Sequence, residues 1–319
     1  MTGTTVPGAR PPGPFAHPAL FYRGPQEYAA GVGGFVRAAL AAGEPVFVAV
    51  PGPRLDALRH GLGGDADAVE WADMTVLGRN PGRILAALQD VADRDPDRPV
   101  RIVGEPLWPG RSPAEIREAT RHEALINTAF AGRAATVLCP YDADGLPAGV
   151  LADARRTHPT LIGGGHGPQA SPAYADPAAV CADCDLPLAA PPADAVFLGY
   201  RSGMLSGVRA HAEAWARHTA LAPDRRGDLV LAVSEAAANS VAHGGGSGTL
   251  GLWRTAGGGV VAEIRDGGRL KDPLAGRRRP SPASGNGGRG LWMIHQLCDL
   301  VEVRALPDGL TLRLHMRTA

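Results

Sequence analysis

Between Val46 and Thr157, short apolar runs alternate with stretches of helical spacing, and this alternation constrains the fold more than any other feature of the chain. VFVAV (Val46–Val50) is apolar throughout, as befits a strand covered on both faces. Residues 54–61 read as a short helix. Within residues 83–92, Ile84, Leu85, Leu88 and Val91 recur at helical spacing. Residues 100–103 read as a strand. Ser112, with Glu115 three residues on, is a capping box that opens a helix running to Phe130. Residues 135–138 supply another strand and 150–157 another helix. Strands and helices in this order predict an α/β domain with a mostly parallel sheet over residues 15–163.

The composition then breaks. GGGHGPQASPAY and LAAPPADA are linker chemistry, which sets residues 164–192 as a linker; the Pro- and Gly-rich residues 1–14 read as a disordered tail. Residues 193–319 have a different grammar. Two helices (205–218 and 225–243) precede strands at 249–254 and 260–265, joined by a glycine turn at 257–259. A polar, Gly- and Pro-rich loop (267–287), a helix (289–297) and a closing hairpin (301–304 with 310–315) follow. Helices against an antiparallel sheet predict an α+β two-layer sandwich.

The totals exclude several classes. Lys plus Arg and Asp plus Glu are both 32, so no basic surplus favours nucleic acid as a direct partner. No apolar run approaches the roughly eighteen residues of a membrane span. The amino terminus lacks a basic start followed by an apolar core, so no signal peptide is expected. Four cysteines (Cys139, Cys181, Cys184 and Cys298) are sparse for this length and fit a reducing, cytoplasmic setting.

Three segments of the carboxy-terminal region carry chemistry. In SEAAANSVAHGG, Glu235, Asn239 and His243 are four apart and share one helix face. Asn offers an oxygen ligand to Mg²⁺, and Glu can deprotonate an attacking hydroxyl. In VVAEIRDGGRL, an apolar strand ends in Asp266, an acceptor for an exocyclic amine; glycines, among them Gly268, follow and permit close approach of a flat ring. In GNGGRGLWMIHQLCD, the run from Gly285 through Gly287, Gly288, Arg289 and Gly290 to Leu291 opens a helix whose free N–H groups suit phosphate, with Arg289 as an added cation. Taken singly, these also read as a solvated helix face, an Asp-Gly turn and a flexible loop. Their order and spacing together are what matter.

In that order, residues 193–319 resemble the ATPase domain of the GHKL superfamily, shared by histidine kinases, DNA gyrase and a heat-shock chaperone. Glu235 and Asn239 match its N box, Asp266 and Gly268 its first glycine box, and Gly288, Gly290 and Leu291 its second. The compact form is most similar to bacterial anti-sigma-factor serine kinases. The resemblance implies ATP and Mg²⁺ as cofactors, Asn239 as the Mg²⁺ ligand, Glu235 as catalytic base and Asp266 as the adenine contact. It also implies a sigma factor or an anti-sigma antagonist as partner, and a homodimer formed through the sheet. Leu270 stands where the family's first box carries a second glycine, which weakens the case for turnover more than that for nucleotide binding. The loop from Arg269 to Asn286 corresponds to the ATP lid; its Lys271 and Arg277–Arg279 would reach phosphates, face a protein partner or be solvated. His211 and His218 lie 28 and 21 residues before Asn239, too close to leave room for a histidine-bearing dimerisation module.

The first domain has no phosphate loop: Pro51 and Pro53 flank the one glycine after its first strand and remove N–H donors. HPALFY, AAGEPVFVAV, LGRNP, GEPLW, RHEALIN and LCPYD are similar to the MEDS sensory domain. That resemblance implies a ligand-sensing α/β domain and makes His17, Tyr22, Glu105, His122, Glu123, Cys139 and Asp142 candidates for a polar pocket, with a small-molecule ligand the sequence does not specify. The plainer alternative is that His122 and Glu123 serve their helix and that Cys139 is a core residue. Cys181 and Cys184 form a C-x-x-C pair that His158 and His166 would have to complete as a zinc site.

Overall fold

The computed structural model describes residues 15–280 and 288–318; residues 1–14, 281–287 and 319 lie outside the described residues, and with them the expected tail, Gly285 and Gly287. The first half of the chain runs β1 (Pro18–Tyr22), α1 (Gly24–Ala41), β2 (Val46–Val50), α2 (Gly52–Leu62), β3 (Val69–Asp73), α3 (Met74–Leu77), α4 (Ile84–Ala92), β4 (Val100–Gly104), α5 (Pro113–Ala129), β5 (Ala135–Asp142), α6 (Ala148–Thr157), β6 (Thr160–Gly163), β7 (His166–Ala170) and α7 (Pro177–Asp183). The second half runs β8 (Val196–Arg201), α8 (Leu205–Ala216), α9 (Pro223–His243), β9 (Ser247–Arg254), β10 (Val260–Asp266), α10 (Arg289–Leu297), β11 (Leu300–Leu306) and β12 (Gly309–Met316).

The first sheet has the order β3-β2-β4-β5-β1-β6-β7 and is parallel except for β7. Alternation along β2 explains its unbroken apolar run. Val46, Val48 and Val50 join the cluster under α1 and α2, while Phe47 and Ala49 join the cluster under α4 and α5. The capping box on α5 forms: Glu115 N donates to Ser112 Oγ at 3.3 Å, and Ser112 N donates to Glu115 Oε2 at 2.8 Å. Helix α1 left little trace in the sequence because Gly31, Gly33 and Gly34 interrupt its pattern. Its buried side is nonetheless regular, with Tyr28, Val32, Val36 and Ala39 facing the sheet. Residues read as linker also hold structure: β7 pairs with β6, and α7 packs on α5.

The second sheet is antiparallel throughout, in the order β11-β12-β10-β9-β8. Ala262, Ile264, Val301, Val303, Leu312 and Leu314 face α8, α9 and α10 in one core. Their alternates on the other face, Glu263, Glu302, Arg304 and Arg313, are charged yet buried. The first domain and the connecting segment cover them. Arg304 Nη1 donates to Glu118 Oε1 of α5 at 2.6 Å, Arg304 Nε to Leu186 O at 3.1 Å and Arg313 Nη2 to Ala189 O at 2.6 Å. On the neighbouring side, Asn80 Nδ2 donates to His295 O at 2.9 Å, and Gly82 packs against the His295 ring. The two halves therefore share a polar, buried interface.

Candidate functional site

Helix α9 starts at Pro223, whose fixed φ suits a first helical position, and buries Leu229, Val233, Ala236, Ala237 and Ser240. Glu235 and Asn239 lie one turn apart on its half-buried flank. Helix α10 meets them. It is capped by Gly288 in the left-handed region, with φ 88°, and its second residue, Gly290, closes onto α9. A β carbon at Gly290 would stand 2.8 Å from Glu235 Oε2 and 3.3 Å from Asn239 Nδ2, so glycine lets both side chains lie directly against the helix start. The first turn of α10, whose N–H groups have no intrahelical acceptors, thereby sits beside the carboxylate and the carboxamide.

Asp266 ends β10 with its carboxylate held from two sides. Ser240 Oγ, from α9, donates to Oδ2 at 2.5 Å, and Gly268 N donates to Oδ1 at 2.8 Å. Each oxygen keeps a further lone pair for a ligand N–H. A β carbon at Gly268 would stand 2.7 Å from Asp266 Oδ1, so glycine keeps that edge clear. His243 contributes its backbone carbonyl beside Gly268, whereas its side chain is exposed. Arg289 is exposed at the start of α10, and Leu291 packs against the second core. Leu270 also packs against that core.

The segment matched to the ATP lid is partly buried over its described part, at Leu274, Gly276 and Arg277. Leu274 is buried among the first domain's core residues, which corresponds to about 2 kcal/mol of side-chain burial. Arg277, wholly buried, donates from Nη2 to Glu118 Oε2 at 2.8 Å, and burial lowers its pKa from the usual value. Arg279 donates from Nη2 to Asp90 Oδ2 at 2.5 Å. Of the basic residues expected to reach phosphates, a partner or water, Arg277 and Arg279 thus turn to the first domain, while Lys271 and Arg278 are exposed.

The seven pocket candidates of the first domain fall into two clusters and one isolated residue. At the carboxyl ends of β1, β4 and β5, where open α/β sheets hold ligands, Tyr22 OH donates to Glu105 Oε1 at 3.4 Å and Tyr28 OH to Glu105 Oε2 at 3.1 Å. Arg54 pairs with Glu105 and donates to Asp142 Oδ2 at 3.0 Å. Its guanidinium lies 5.3 Å from the Tyr22 ring centre and 5.4 Å from that of Tyr28. Burial raises the pKa of both phenols above the usual range. The cluster's one cation, Arg54, stands between two carboxylates, Glu105 and Asp142.

The second cluster lies deeper. His17, Glu123, Cys139 and His158 are all buried, with one ligand atom from each lying within 4.8 Å of the others. His17 Nε2 and His158 Nε2 each stand 3.2 Å from Glu123 Oε2. Burial would raise the Glu123 carboxyl, but the two imidazoles hold it well below the ordinary range. Burial, then the neighbouring Glu123, pushes the Cys139 thiol well up. His122 joins neither cluster. Its ring is buried with Nδ1 lacking a hydrogen-bond partner, and burial lowers its pKa to about 4. Cys181 and Cys184 are buried on and just after α7; burial pushes Cys184 up to about 12. Among the described residues they join no cluster of three or more metal-binding side chains, because His158 is turned to Glu123 instead.

Sequence reasoning passed over Tyr28, Arg54, Asn127 and the placement of His158. Asn127 left a signal: it lies four residues after Glu123 on α5, on the same helix face.

The fold and these sites define a two-domain protein: an α/β unit with buried polar clusters joined to an α+β sandwich of the histidine-kinase-like ATPase type. Two family profiles divide the chain accordingly. MEDS, described as the methanogen/methylotroph, DcmR sensory domain, matches residues 16–159, and the histidine kinase-like ATPase domain matches residues 201–316. The chain thus carries a MEDS domain followed by a histidine kinase-like ATPase domain. None of the curated proteins matches it. Among solved structures it is similar to the RsbU and RsbW domains of a Mycobacterium tuberculosis protein, at 20% identity and a TM-score of 0.30. That match covers 40% of this chain and 33% of the other, so the likeness spans about a third of that structure. Among the described residues, no helix is long and apolar enough to cross a membrane.

Proposed function

We propose that the second domain binds ATP with Mg²⁺ and that the chain acts as a signalling regulator of the anti-sigma-factor type, transferring phosphate to a serine of an antagonist protein. The observation that carries the reading is the meeting of Glu235 and Asn239 with the glycine start of α10, one strand away from a doubly anchored Asp266. The residues fit the group. Asn239 offers a carboxamide oxygen to the cation, and the first turn of α10 offers N–H groups to phosphate. Asp266 offers lone pairs to the adenine amine, and Gly268 keeps its edge open. Bound Mg-ATP supplies the transferable phosphoryl group. In this reading Glu235 accepts the proton of an attacking serine hydroxyl. The anti-sigma reading rests on the compact N-box and glycine-box arrangement without a histidine-bearing module.

The first domain is the natural controller in this reading, because the lid segment is anchored on it through Leu274, Arg277 and Arg279. Nucleotide titration of the full chain with Mg²⁺ tests the site. Binding is expected to weaken roughly 10- to 100-fold in Asn239→Ala, as for loss of a bond to a charged group. No binding, or binding indifferent to that change, rejects the reading.

Leu270 favours a second reading, in which ATP binding is structural and the protein sequesters a sigma factor without phosphorylating anything. Incubation with labelled ATP and candidate antagonists separates the two. Transfer to a serine that disappears in Glu235→Ala rejects pure sequestration. Acid-labile phosphate on the chain itself would instead indicate a histidine-kinase-like enzyme.

A further inference from the structure

We propose that His17, Glu123, Cys139 and His158 form a binding site for one divalent transition-metal ion of the zinc class. The separations suit it. His17 Nε2 stands 3.2 Å from Glu123 Oε2 and 3.4 Å from Cys139 Sγ, and His158 Nε2 stands 3.2 Å from the same carboxylate oxygen. A tetrahedron with bonds of about 2.0–2.3 Å has edges of roughly 3.3–3.8 Å. Nitrogen, oxygen and sulfur donors together suit zinc or cobalt, whereas magnesium and calcium take oxygen ligands.

The hydrogen-bond pattern explains why an ion is needed there. His158 Nδ1 lies 2.8 Å from Ala154 O, which can only accept, so Nδ1 carries a proton and Nε2 faces Glu123. His17 is held the same way. Its Nδ1 lies 3.1 Å from Asn127 Oδ1, and Asn127 Nδ2 is turned away, donating to Thr157 O at 2.7 Å. The Nε2 atoms of both imidazoles, the Cys139 sulfur and the Glu123 carboxylate therefore converge on one buried point. Both oxygens of Glu123 and Nε2 of His158 lack hydrogen-bond partners despite their proximity. Among the described residues, no Lys or Arg forms an ion pair with Glu123. A divalent ion would balance the carboxylate and a thiolate at Cys139, and would satisfy all four donors at once. Imidazoles oriented by acceptors on their far nitrogens are the usual second layer of a metal site.

The site does not depend on the nucleotide reading, although Glu123 shares α5 with Glu118, the anchor of Arg277. The test is titration of the full chain, stripped of metal by a chelator, with Co²⁺. One equivalent is expected, with the visible bands of a tetrahedral ion and a sulfur-to-cobalt charge-transfer band. Cys139→Ser should abolish the charge-transfer band and Cys184→Ser should keep it. Asn127→Ala should weaken binding roughly 10- to 100-fold. Absence of stoichiometric binding by the folded wild-type chain overturns the proposal. So does an octahedral spectrum without a sulfur band, which decides the matter even if Cys139→Ser fails to fold. A band that survives Cys139→Ser, or is lost in Cys184→Ser, overturns it as well. ATP affinity measured on the same samples reports on the nucleotide site separately.

Discussion

Arg277 and Glu118, 159 residues apart, meet in the buried interface between the domains, Nη2 to Oε2 at 2.8 Å. The other oxygen of Glu118 accepts from Arg304 at 2.6 Å. One carboxylate thus holds a guanidinium from the lid segment and another from the ATPase sheet.

Removing that carboxylate leaves the buried Arg277 without its ion-pair partner, while Arg304 keeps Glu302. Glu118→Ala is expected to cost about 3–5 kcal/mol, the scale for breaking a buried pair. Arg277→Met should cost clearly less, because Glu118 keeps Arg304. Urea denaturation of the two variants ranks them, and equal costs would mean that the shared carboxylate is not the anchor.

Gly290→Ala places a methyl group 2.8 Å from Glu235 Oε2. The Glu235 carboxylate, the free end of a flexible side chain, must swing away to admit it, at little cost to stability. ATP affinity should fall by more than tenfold while the chain stays folded. Calorimetric titration beside a thermal melt separates the two effects, and unchanged affinity would detach α10 from the nucleotide site.

Ser240 is fully buried, and its hydroxyl supports Asp266 Oδ2 at 2.5 Å. Ser240→Ala should lower stability by about 1 kcal/mol, since the half-buried Asp266 carboxylate stays open to water. If Asp266 reads adenine, the same change should also narrow the preference for ATP over GTP. Competition binding with both nucleotides provides the measurement.

His295 is buried at the interface, against Asn80 and Gly82 with Arg277 nearby, and burial followed by that guanidinium holds its pKa well below the usual value. The unfolded chain therefore takes up this proton first as pH falls. Its contribution is complete above about pH 6.5 and is lost below it, at up to about 1.4 kcal/mol per pH unit. His295→Gln should show a shallower decline between pH 7 and 5 in urea unfolding. Other buried imidazoles titrate in both proteins, so the difference isolates this one.

Periodicity and caps carry local information, and the elements they encode were legible. The apolar run at Val46–Val50, the capping box at Ser112 and Glu115 and the closing hairpin at 300–316 all form where the sequence points. The order of Glu235, Asn239, Asp266 and Gly288–Gly290 along the chain could be read as well, because each belongs to one short motif on one element. Helix α1 was hidden by its glycines, and α7 by linker-like composition, since both gain their stability from packing rather than propensity. The placement of Leu274, Arg277 and Arg279 on the first domain, and of His158 beside Glu123 rather than the cysteines, was decided only by tertiary structure. Such contacts join residues from separate elements, and nothing in local spacing encodes which buried charge will meet which.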